Sequence, residues 1–220
     1  MKSIFKILVL FAASAVFSLA AAGMKEDFFR AMHSDNASVV RELIEHGFNP
    51  NTRDEHGQVG LLIAMNEPSP RVIDVLIEAP QTNVSLTNRQ GESALMLACL
   101  RGQMDLVKKL LARDAAVNKT GWTPLHYAAA GGHVDIIRLL LENYAFIDAE
   151  SPNGTTPLMM AAGYGNDAAV KLLLDEDADT QMRNQQGMSA ADFALRANRT
   201  TAAKMISSAI RAKREDKGQW

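Results

Sequence analysis

The 220-residue sequence predicts an all-α repeat solenoid, a stack of helix-turn-helix units joined by β-hairpin loops. Three observations carry that expectation. Gly57, Gly91, Gly121, Gly154 and Gly187 recur at spacings of 34, 30, 33 and 33 residues. A paired apolar position lies 19 residues beyond each of the first four, at Leu76-Ile77, Leu110-Leu111, Leu140-Leu141 and Leu173-Leu174, and Ile206 holds that place in the last. Self-similarity at such a period marks stacked units that are too thin to bury their apolar faces alone. Aromatic residues make up only 6% of a chain that is 47% apolar, which suits thin layers of Ala, Leu, Val and Ile better than one large core.

In chain order, residues 1–22 read as a secretory leader. Lys2 and Lys6 precede an apolar run from Ile7 that exits through Ala20-Ala21-Ala22, and the run is shorter than the ~20 residues a membrane span needs. No cysteine follows it, so lipoprotein processing is not expected. Residues 24–53 form an N-terminal capping repeat, from Glu26-Asp27-Phe28-Phe29 to His46. Residues 54–87 form a degenerate repeat, with Gly57-Gln58-Val59-Gly60 at its start and Glu67-Pro68-Ser69-Pro70 between its helices. Prolines there stiffen the turn by fixing φ. Repeats follow at 88–118, 119–150 and 151–183. Residues 184–210 form a C-terminal cap with polar Arg196, Asn198, Arg199 and Lys204, and 211–220 are a charged tail.

The clearest unit runs Gly121-Trp122-Thr123-Pro124-Leu125-His126-Tyr127-Ala128-Ala129-Ala130-Gly131-Gly132-His133 and continues to Leu140-Leu141. Gly154-Thr155-Thr156-Pro157-Leu158 opens another close copy. These units resemble the ankyrin consensus, and the register covers roughly residues 24 to 210. Each position has a physical task. Thr123 and Thr156 suit helix N-caps, and Pro124 and Pro157 suit the first helical position. The alanine pairs let neighbouring helices approach. Gly132 and Gly165 are expected to end the first helix as left-handed caps. Val134, Ile137 and Leu141, widened by Ile136 and Leu140, give the second helix its apolar stripe. One departure is a deletion. Asn118 precedes Gly121 by three residues, whereas Asn51, Asp148 and Gln181 each precede their glycine by six. The finger before Gly121 is therefore shortened, which predicts a notch beside Trp122.

Chemistry-bearing residues do not converge. The formal charge of −2 lacks the basic surplus of a nucleic-acid binder. Cys99, the one cysteine, excludes an internal disulfide and occupies a small packed position. His126 and His133 hold the consensus places where the ring fixes a turn through backbone hydrogen bonds. The other histidines lack metal-ligand spacing. Met96, Met104, Met159 and Met160 read as core or turn fillers. Asp175-Glu176-Asp177-Ala178-Asp179 lacks the glycine and terminal glutamate of a calcium loop. No catalytic residue, cofactor or metal is expected.

The resemblance implies a protein-binding module that meets its partners at the hairpin tips and the exposed side of each first helix. Carried over by register, these places are Arg89, Gln90, Glu92, Trp122, Asn153, Thr155 and Met188 on the loops, with Glu55, His56, Gln58, Gln185 and Gln186 flanking other unit glycines. On the helices they are Leu100, Arg101, Tyr164 and Arg196. Trp, Tyr and Arg dominate binding hot spots, so Trp122, Tyr164, Arg89 and Arg101 form the favoured patch. The expectation is a monomeric, periplasmic, non-catalytic scaffold for another protein. Small exported ankyrin proteins of this layout resemble bacterial accessory proteins, some of them linked to catalase and oxidative-stress defence. An immunity protein neutralising a periplasmic toxin is the alternative within the binding class. A hydrolase or metal carrier, the alternative of another class, would need convergent ionisable groups that the register does not supply.

Overall fold

The computed structural model describes residues 23–67 and 69–216; the expected leader at 1–22 lies outside the described residues. The chain divides into two compact units between Arg89 and Gln90. The first contains α1 (23–33), α2 (Ala37–Glu45), α3 (Gly60–Asn66) and α4 (Pro70–Glu78). The second contains α5 (Ala94–Leu100), α6 (Met104–Leu111), α7 (Pro124–Gly131), α8 (Val134–Glu142), α9 (Pro157–Gly163), α10 (Asp167–Asp175), α11 (Ala190–Arg196) and α12 (Thr200–Asp216). This is the all-α repeat class the glycine register predicts. The finger loops are reduced hairpins. Three of them close by a backbone bond across the unit glycine, Asp54 to Gln58, Ser151 to Thr155 and Asn184 to Met188. Arg53 and Val59 form an isolated antiparallel bridge.

In the first unit, the departure of the degenerate repeat has a steric cause. Phe28 of α1 is fully buried and packs on Phe48 at 4.6 Å between ring centroids. A Cβ on Gly60 would sit 2.7 Å from the Phe28 ring. The proline usual at the start of the first helix has no room there, and glycine takes its place. Between α3 and α4, the buried Ser69 hydroxyl donates to the Met32 carbonyl, and Asp35 accepts from Val72 N–H at 2.9 Å and from Arg71 Nε at 2.9 Å. The end of α1 and the turn after it thus hold the start of α4.

In the second unit, first helices stack through small residues. Ala98, Cys99, Ala128, Ala129, Ala161, Ala162 and Ala194 are all 0% exposed, as are Leu125, Leu140 and Leu158. The buried face of α8 is Ile136, Ile137 and Leu140. Val134 and Leu141, expected on that stripe, are only half-buried at its margins. Burial pushes the Cys99 thiol well above its usual range, so the group stays protonated and unreactive. Gly132 ends α7 with φ 69°, as expected. Gly165 does not: α9 ends at Gly163, Tyr164 is the cap with φ −125°, and Gly165 lacks a positive φ. It is required for a different reason. A Cβ there would run into the Ala129 carbonyl oxygen and come 3.0 Å from Ala161 Cα.

Polar side chains tie successive repeats at the turns between paired helices. His133 Nε2 donates to the Leu100 carbonyl at 3.0 Å, and Asn166 Nδ2 to the Gly132 carbonyl at 2.8 Å. Arg199 donates to the Ala161 and Ala162 carbonyls at 2.7 and 3.2 Å and pairs with Asp167 at 2.9 Å. These bonds bring side-chain donors to carbonyls at the ends of the first helices.

Candidate partner-binding site

The floor of the site comes from the fourth position after the helix cap in two repeats, Met160 and Phe193. Tyr127 follows Thr123, Met160 follows Thr156 and Phe193 follows Ser189, one per repeat, and all three are half-buried. In two of the three repeats the position before, His126 or Asp192, anchors the helix start through its side chain. His126 Nδ1 accepts from Thr123 N–H at 3.2 Å and from its hydroxyl at 2.9 Å, while Nε2–H donates to the Thr155 carbonyl at 2.8 Å. Asp192 accepts from Ser189 N–H at 2.8 Å and from its hydroxyl at 2.7 Å, and these bonds hold its carboxyl below the usual range. Tyr127 donates its hydroxyl to Glu92 at 3.0 Å; burial first, then this bond, pushes the phenol pKa up.

Met160 and Phe193 floor an open groove of about 520 Å3 in the second unit. Its outer wall comes from the finger loops at Trp122, Asn153, Asn184, Gln186 and Met188. Its inner wall comes from the ends of α9 and α11 at Gly163, Tyr164, Arg196 and Ala197. Asn184 Oδ1 accepts from Gln186 N–H and Met188 N–H, each at 3.0 Å, and so fixes that finger. Gly163 leaves the width that Phe193 fills, since a Cβ there would lie 3.2 Å from the ring.

The structure brings Trp122, Asn153, Thr155, Tyr164, Met188 and Arg196 together on this groove. Two of them differ from expectation. Trp122 is half-buried, its ring edge-on to His126 at 5.2 Å, so it forms a wall and does not project into solvent. Thr155 is 2% exposed, because its N–H is bonded to Ser151 Oγ and its carbonyl to His126; it belongs to the floor, and its side chain is out of a partner's reach. Tyr164, at 68% exposed, is the open aromatic of the site. The shortened finger beside Trp122 is closed by Lys119, whose Nζ donates to the Thr120 and Trp122 carbonyls at 3.0 and 3.2 Å.

Gln90, Glu92, Leu100 and Arg101 do not line this groove, and the Glu92 carboxylate is engaged by Tyr127. Arg89 belongs to the first unit, where its guanidinium lies over Gly57. That unit has its own groove, in which Glu55, His56 and Gln58 face Phe29, His33 and Glu67. The register reading missed Met160 and Phe193. Met160 was expected in the core, which its neighbour Met159 fills at 1% exposure. The 33-residue recurrence of Tyr127, Met160 and Phe193 is the signal that finds them. Among the described residues, no group of three or more His, Cys, Asp or Glu side chains is placed to hold a metal ion. No described helix is long and apolar enough to cross a membrane.

The sequence matches the family model described as "Ankyrin repeats (3 copies)" over residues 61–151 and 147–216. It is 31% identical over 143 residues to the nuclear factor NF-kappa-B p105 subunit of Gallus gallus, covering 60% of this chain and 14% of that protein. It is 29% identical over 123 residues to the B-cell lymphoma 3 protein homolog of Mus musculus, covering 53% and 28%. The chain spans less than a third of the length of these curated relatives. In structure it is similar to an ankyrin repeat domain from Acinetobacter baumannii AYE, with TM-score 0.72 and 23% identity, covering 83% of this chain and 96% of that one.

Proposed function

Because this chain belongs to the ankyrin-repeat family, whose repeats mediate protein–protein interaction, we propose that it is a non-catalytic scaffold that captures a protein partner in the groove over Met160 and Phe193. The observation that carries this reading is convergence. Trp122, Asn153, Tyr164, Met188 and Arg196, selected by repeat register alone, lie on one groove with an exposed aromatic at its lip. Aromatic and arginine side chains around a desolvated floor are the composition of a binding hot spot. The periplasm is part of the proposal, supported by the basic, apolar and small-residue succession of residues 1–22. An accessory role beside catalase in oxidative-stress defence rests on the resemblance to exported bacterial ankyrin proteins.

Affinity capture from periplasmic extract tests the site. The wild-type protein and an Arg138→Ala control on exposed α8 are expected to retain the same partner. Trp122→Ala and Tyr164→Ala are expected to lose it while keeping wild-type circular dichroism. Equal capture by the groove variants would refute the site. Recovery of the uncleaved chain from the cytoplasm alone would refute the compartment.

A further inference from the structure

Accepting the groove of the second unit as the binding site, we infer that its occupant is an extended acidic peptide segment of a partner protein, with an apolar side chain on the Met160–Phe193 floor and a neighbouring Asp or Glu side chain on Arg196. Charge carries the argument. Arg196 is the one charged side chain among the groove's lining residues at neutral pH. Its neighbours in the C-terminal repeat are neutralised internally. Arg183 pairs with Asp192 at 3.4 Å, and Arg199 with Asp167 at 2.9 Å. Asp192, one turn before Arg196 on α11, is taken by Ser189 and Arg183. Among the described residues, the Arg196 guanidinium donates to the Met188 sulfur alone, at 3.8 Å.

That pairing is informative. Met188 holds the guanidinium against the groove wall without spending its charge, so a fork of N–H donors stands at the edge of an apolar floor. A carboxylate is the group such a fork binds in two parallel bonds. The floor takes the side chain beside it. On the outer wall, the Gln186 amide is exposed and makes no side-chain hydrogen bond to the described residues, so it is available to a peptide backbone. An extended strand fits this arrangement, because an open groove between fingers and helix ends gives access to both edges of its main chain.

The test uses the full mature chain and a random 12-residue peptide display library. Selection is expected to enrich peptides with an aromatic or aliphatic residue within three positions of Asp or Glu. A synthetic peptide of the enriched sequence is then titrated by fluorescence anisotropy. Arg196→Glu and Arg196→Gln are expected to weaken it by about tenfold or more, with the wild-type melting temperature kept. Replacing the peptide's acid with Lys is expected to restore binding to Arg196→Glu. Enrichment of basic peptides, or of none, overturns the inference. If Tyr164→Ala weakens the peptide but Arg196→Glu does not, the groove stands and the acidic preference falls. If neither does, the groove reading falls with it.

Discussion

His126 shows how one side chain can set the acid limit of the protein. Its ring is fully buried, donates from Nε2 to Thr155 and accepts at Nδ1 from Thr123. Nδ1 therefore has no room for a proton, and burial lowers the pKa from 6.5 to about 4. The folded ring stays neutral between these values while the unfolded chain takes up a proton. Stability should therefore fall as pH drops from 6.5 towards 4, by up to about 3 kcal/mol, and this contribution should be flat below that. Urea midpoints at several pH values would measure the slope. His126→Gln should start less stable at pH 7 and lose most of that slope. Gly165→Ala acts on the same scale, by collision with the Ala129 carbonyl, and should destabilise strongly.

At the scale of the element, each repeat is secured by a buried face and by a polar tether, and the two have separate tests. Leu140→Ala opens a cavity on the inner face of α8 and should cost about 2–5 kcal/mol in chemical denaturation. Arg199→Ala removes the side-chain donor to the Ala161 and Ala162 carbonyls and should cost about 1–3 kcal/mol. Its effect should appear in hydrogen exchange as faster amides in α11 and α12 and unchanged ones in α8. The helices themselves were legible from sequence, since Thr-Pro starts, glycine stops and leucine pairs are local instructions that repeat. The cause of each departure was not. Gly60 answers to Phe28 and Gly165 to Ala129, both more than thirty residues away, and no local pattern displays such a collision.

Across the whole molecule, the candidate site was legible as a register and not as a surface. Counting from the unit glycines reached Trp122, Tyr164 and Arg196, but counting cannot tell a wall from a floor. Trp122 turned inward because His126 offers its ring a face, and Met160 turned outward because Met159 fills the core beneath it. Trp122→Ala should weaken partner binding by about 2 kcal/mol, measured by calorimetry, with the fold kept, whereas Leu125→Ala should unfold the repeat. The tethers at the turns between paired helices have a direction along the chain, unlike the fingers, where His126 donates forward to Thr155. Ser69 reaches back to Met32, His133 to Leu100, Asn166 to Gly132 and Arg199 to Ala161. In each pair the acceptor comes first and the donor arrives later. A polypeptide delivered N-terminus first therefore presents each of these turn carbonyls before the repeat that donates to it exists. Loss runs the other way. At these turns, removing repeats from the C-terminal end strips away donors and leaves carbonyls, which water can solvate.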